Sequence, residues 1–128
     1  MSSRPLLKPQ KVMDAVVANQ DRTSLVTNTN MVSMPSYAIA WENNVTGTFT
    51  VEVSNDYIAP VGVQPEQVDS GTWVPVSLTT PVVAAGTADT AFIDVALIGA
   101  AYIRLKFTDG SSGTGSGTIT ATLAGKVS

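Results

Sequence analysis

The 128-residue chain contains no cysteine and no histidine. Without cysteine there is no disulfide, no thiolate nucleophile and no sulfur-ligated zinc, and the redox compartment leaves no mark. Without histidine every Ser-His-Asp or Cys-His arrangement is excluded, along with the commonest transition-metal ligand. Charge is scarce as well: 13% of residues carry it, about half the usual share of roughly 25%. Such a surface fits coverage by partners or further copies, or equally a neutral Ser/Thr/Asn-rich exterior. No apolar run approaches the about 20 residues that cross a bilayer as a helix. The longest, Ala91 to Ala101, is interrupted by Asp94. The start, MSSRPLLKPQK, lacks the apolar core of a secretory signal. The expectation is a product made in the cytoplasm, with no membrane among its partners.

The little charge there is falls unevenly. Residues 1–11 hold Arg4, Lys8 and Lys11 and no acid, for a net +3, whereas residues 12–128 hold four bases and ten acids, for a net −6. Pro5 and Pro9 bias the residues before them away from helix. Residues 1–22 therefore read as an extended N-terminal arm, with residues 23–128 as a single compact domain. In that reading Leu6 and Leu7 suit a shallow groove, and Arg4, Lys8 and Lys11 suit an acidic neighbour. The docking segment, residues 1–20, is expected to be disordered alone and ordered against a partner. Three bases do not make a nucleic-acid footprint, and no nucleic acid is expected. Within the arm, Met13 to Asn19 reads either as one helical turn or as a short edge strand.

From Thr23 onward the pattern is β. In 36–42, Tyr37, Ile39 and Trp41 alternate with Ser36, Ala38, Ala40 and Glu42. In 48–54, Phe49, Val51 and Val53 alternate with Thr48, Thr50, Glu52 and Ser54. Period 2 is the mark of half-buried strands. The turn-rich Asn43–Gly47 between them predicts a β-hairpin over 36–54. Short strands are also expected at 73–78, with Pro75 marking an edge or bulge, and at 90–95, 102–108 and 118–126. The expected core is Trp41, Phe49, Val51, Val53, Phe92, Ile103, Leu105, Phe107, Ile119 and Leu123. Tyr102, Arg104 and Lys106 face outward. Asn55–Gly71 is a long connection of the kind that forms interfaces, and Asp109–Gly117 (DGSSGTGSG) reads as a flexible segment. Seven or eight short strands and no long helix predict an all-β fold, a single jelly-roll-like β-sandwich.

The Trp41 strand, Gly47-Thr48-Phe49-Thr50-Val51, Ser54-Asn55-Asp56, Thr72-Trp73, Phe92-Ile93-Asp94, Tyr102-Ile103-Arg104-Leu105 and the 112–126 stretch ending in Gly125-Lys126 follow in order. Together they resemble small β-sandwich virion proteins of tailed bacteriophages: head decoration (cement) proteins and related fibre or tail modules. The likeness spans about residues 36–126. It implies a non-enzymatic structural part of a virion, often a homotrimer on a capsid lattice, with the major capsid protein or another virion protein as partner. The alternative within the same resemblance is a carbohydrate- or receptor-binding module of a fibre or tail.

Residue chemistry adds little to this. Ser54-Asn55-Asp56 reads as an Asx-type turn in preference to a calcium loop, since no Asp-x-Asp-x-Asp spacing exists. Glu42 and Glu52 lie on outward faces, and Glu52 is placed beside Arg104 or Lys106 across the sheet, so no catalytic carboxylate pair is expected. Asn44-Val45-Thr46 matches a glycosylation pattern but has no secretory context. The 109–117 glycines lack the lysine of a phosphate loop. No catalytic residue, metal ligand or cofactor is expected. Tyr57, Tyr102 and Arg104 are the candidates for surface contact.

Overall fold

The computed structural model describes residues 6–30, 32–58, 71–76, 81–95 and 100–127, with backbone alone at 6–8, 33 and 127. Ten strands are present among them: β1 (Leu6–Val17), β2 (Arg22–Thr23), β3 (Thr27–Asn28), β4 (Val32–Glu42), β5 (Thr46–Ser54), β6 (Val74–Pro75), β7 (Val82–Ala85), β8 (Asp89–Asp94), β9 (Tyr102–Asp109) and β10 (Thr118–Val127). They form two antiparallel sheets. One has the order β1-β10-β4-β8. In the other, β9 and β5 lie side by side, with β2 and β3 along the free side of β9 and β6 and β7 along the free side of β5. Counting each such pair of short pieces as one position, the described residues occupy eight positions in two four-position sheets. Successive positions alternate between the sheets except at β5 and β6/β7, which are neighbours in one sheet, the jelly-roll order. The fold is an all-β sandwich.

Strand alternation builds one core between the sheets. Ile119, Ala121 and Leu123 of β10 and Tyr37, Ile39 and Trp41 of β4 face Phe49 and Val51 of β5 and Ile103, Leu105 and Phe107 of β9, all buried. Trp41 stacks on Phe49 with centroids 5.3 Å apart, and Phe49 meets Phe107 at 5.1 Å. These contacts join the sheets through their largest side chains.

Four expectations are corrected. First, 36–54 is not a hairpin. β4 pairs with β10 and β8, and β5 pairs with β9, β6 and β7. The connection therefore crosses from one sheet to the other. Asn43 takes a positive φ of 60°, Asn44 O accepts from Gly117 N at 2.9 Å, and Val45 is buried as a plug at the end of the sandwich. Period 2 reports which face of a strand is buried, whichever strand lies beside it. Second, Leu6–Val17 is not a free arm but an edge strand on β10, running from Leu6 opposite Lys126 to Val17 opposite Thr118. Its three register irregularities blur the alternation that would have revealed it, yet Val12 and Met13 reach the core. The sandwich thus begins at Leu6 rather than at residue 23.

Third, Phe92 is 65% exposed. Pairing with β4 sets Ile93 opposite Tyr37 and Ala91 opposite Ile39. That phase buries Ile93 and Val95 and turns Phe92 out. Fourth, 109–117 is an ordered turn. The Asp109 carboxylate accepts from Ser111 N at 2.8 Å, Ser111 Oγ at 2.5 Å and Gly113 N at 3.0 Å, and Asp109 N donates to Asp21 at 2.9 Å. These bonds, the Ser111 hydroxyl first, hold the Asp109 carboxyl below its ordinary pKa.

Candidate functional site: the two outer sheet faces

The residues expected at the surface in the β5–β9 sheet are brought together, but as a packed cluster. Tyr57 and Tyr102 meet edge to face at 5.2 Å, and Tyr57 lies 5.7 Å from Trp73. The Arg104 guanidinium sits 4.2 Å over the Trp73 ring. Its Nε and NH2 both donate to Glu52 Oε1, at 2.9 and 2.8 Å. The register sets Glu52 directly opposite Arg104, as the sequence suggests. The pair is buried, however, and so is Tyr57. Only Tyr102 and Trp73 remain half-exposed. The outward direction of Arg104 holds; its accessibility does not, because Trp73 folds over it.

The Ser54–Asp56 turn ties this cluster down. Ser54 Oγ donates to Asp56 Oδ1 at 2.8 Å, and the same oxygen accepts from Thr72 N at 2.6 Å. That backbone bond is the main reason the Asp56 carboxyl lies below its ordinary pKa. Asn55 Oδ1 accepts from Ala101 N at 2.9 Å. Gly71, at φ 84°, closes the turn where an added Cβ would stand 2.9 Å from Tyr57 Cα. The arrangement staples loop ends, with its polar groups satisfied internally. The remainder of the Asn55–Gly71 connection, 59–70, lies outside the described residues.

The outer face of the β1-β10-β4-β8 sheet is different. Register places Thr120, Ala40 and Thr90 in one row, Thr122, Ala38 and Phe92 in the next, and Ala124, Ser36 and Asp94 in the third. Small side chains on the two central strands make the floor of a trough, with Phe92 standing at its β8 side. Two adjoining depressions of about 360 and 550 Å³ lie along it, both lined by Phe92. Met34, 61% exposed, lines the first. The floor carries no charge; Glu42 lies at one end and Asp94 and Lys126 at the other. This face is absent from the expected sites because Phe92 reads as core by composition, and only strand pairing shows it outside.

Of the expected docking residues, Arg4 and the side chains of Leu6, Leu7 and Lys8 lie outside what is described. Lys11 is exposed on β1, 3.6 Å from Asp14. Among the described residues no three acidic side chains gather as metal ligands, and no helix is long and apolar enough to cross a membrane.

No protein-family model matches the chain, and no curated protein matches it. Among solved structures it is similar to chitosan-binding module 1 derived from a chitosanase/glucanase of Paenibacillus sp. IK-5. That match has 17% identity and a TM-score of 0.43 and covers 87% of this chain and 74% of that one.

Proposed function

We propose that the chain is a non-enzymatic structural module of a tailed-phage particle, a capsid decoration (cement) protein that bridges neighbouring capsid subunits. The observation that carries the reading is the trough on the outer β1-β10-β4-β8 face, an uncharged floor of alanine and threonine with Phe92 beside it. A rigid sheet face with short side chains has little rotamer entropy to lose on docking. Contiguous apolar surface on a soluble domain marks a contact site. The absence of histidine and cysteine leaves few routes to nucleophilic or general-base chemistry. The sequence resemblance to virion sandwiches supports the major capsid protein or another virion protein as the partner. Repetition over a symmetric lattice would multiply a modest contact area per copy.

The test is attachment to purified particles. Ala38→Lys places a long charged chain on the trough floor without touching the core. It is expected to abolish binding to particles while the unfolding midpoint stays within error. Density for the chain in electron micrographs of the particle gives its location. Unimpaired attachment of the Ala38→Lys protein would refute this face as the docking surface.

A second reading, a glycan-binding module of a fibre or tail, is favoured by one feature. Exposed Phe92 shares one depression with Thr90 and Thr122, and an aromatic ring with nearby hydroxyls is the combination that stacks on and hydrogen-bonds to a sugar. Glycan-array binding that Phe92→Ala removes would establish it.

A further inference from the structure

We infer that two copies of the chain join edge to edge through β8, Phe92 against Phe92, merging their β1-β10-β4-β8 sheets into one continuous sheet. This pairing is made by the backbone and is independent of the partner that the outer face meets.

The ladder phase decides which groups β8 has to offer. Val95 N donates to Pro35 O at 2.9 Å, so Ile93 with Tyr37 and Ala91 with Ile39 are the hydrogen-bonded pairs of the β4–β8 ladder. In an antiparallel ladder the alternate residues turn their N–H and C=O away from the partner. Those residues are Thr90, Phe92 and Asp94. Among the described residues no strand lies on that side of β8.

The other edges are guarded in the ways sheets avoid unwanted pairing. β1 carries Pro9, Lys11 and three register irregularities. β2, β3 and β6 are two residues long, and β6 contains Pro75. β7 has four residues and follows Pro81. Among the described edge strands, β8 alone offers six residues in unbroken register, with no proline, lysine or bulge.

The occupant that fits this edge is β8 itself. Antiparallel pairing about a two-fold axis at Phe92 sets Phe92 opposite Phe92 and Thr90 opposite Asp94 on each side, and all three outward residues then face their counterparts. One guard is present: Thr90 N already donates to the Asp89 carboxylate at 2.8 Å. The Phe92 N–H, the Asp94 N–H and all three carbonyls remain, so four of the six possible bonds form without rearrangement. Strand addition at an open edge takes its affinity from such main-chain bonds, and a two-fold contact uses the same patch on both copies. The pairing also brings the two exposed Phe92 rings together and hides them from water.

Three variants and sedimentation test this. The wild-type chain should sediment as a concentration-dependent dimer. Phe92→Pro removes an outward N–H together with the exposed ring, at a position where edge strands tolerate proline. It should sediment as a monomer with an unchanged β circular-dichroism spectrum. Phe92→Cys introduces the single thiol of the chain. Opposed residues in a hydrogen-bonded pair have Cα atoms about 5.5 Å apart, within disulfide range, so mild oxidation should give a covalent dimer. Val83→Cys, also at an exposed position but on the other sheet, should not. A wild-type monomer up to millimolar concentration, an oligomer that persists in Phe92→Pro, or cross-linking of Phe92→Cys no faster than Val83→Cys would overturn the inference. None of these readouts involves particle attachment, so failure here is separable from failure of the docking reading.

Discussion

Single side chains divide here into those that report burial and those whose role depends on a neighbour. Leu105 belongs to the first group. It alternates with Arg104 and Lys106, lies opposite Val51 and is fully buried. Leu105→Ala should cost about 2–5 kcal/mol through lost transfer energy and the cavity left behind, read as a shift in urea midpoint. Tyr37 is legible as inward-facing, but its hydroxyl is buried with no partner among the described residues, and burial pushes its pKa far up. Tyr37→Phe deletes a polar atom that gains nothing in place, so the variant should be more stable by roughly 1 kcal/mol. Calorimetry at neutral pH checks this. Arg104 belongs to the second group. Removing it strands the Glu52 carboxylate and uncovers Trp73, so Arg104→Ala should destabilise by about 3–5 kcal/mol. The double variant Arg104→Met with Glu52→Leu should recover most of that loss, because it leaves no uncompensated buried charge. A double variant as unstable as the single would assign the loss to Trp73 packing instead of the ion pair.

At the level of elements, β1 is the revealing case. Pro9 and a cluster of basic residues argue for an arm, yet β10 would otherwise present a ten-residue edge above an open side of the core, and Val12 and Met13 close it. Deleting residues 1–17 should therefore weaken the body by about 3–6 kcal/mol, the worth of two buried apolar side chains, with further loss from the ladder. A truncated protein that unfolds at the wild-type urea midpoint would restore the arm. The Asn43–Val45 connection teaches the same lesson from the other side. Its turn residues were legible, but turn chemistry does not say whether the chain returns along the strand it left or crosses to the opposite sheet. Burial of Val45 and the bonds of Asn44 O decide that, and they involve residues some seventy positions away.

Across the whole molecule, pH acts through carboxylates held in turns. The Asp109 and Asp56 pKa values are both depressed in the folded chain. Each therefore contributes stability that is present above the ordinary aspartate value of 3.8 and is lost as pH falls through the folded pKa. Urea midpoints should decline as pH drops below about 4, and Asp109→Asn should flatten that decline while lowering stability at neutral pH. An acid profile unaltered by Asp109→Asn would remove the turn from the account.

The sequence by itself determined the class of fold, the inward faces of β4, β5, β9 and β10, and the exclusion of histidine and cysteine chemistry. Side-chain alternation and residue inventory are local properties, and a strand displays them without reference to its neighbours. Only the tertiary structure decided which sheet each strand joins, that β1 belongs to the sandwich, that Arg104 lies under Trp73, and that Phe92 faces water. Each of these depends on register between segments distant in sequence, and a shift of one residue in pairing exchanges the buried face for the exposed one.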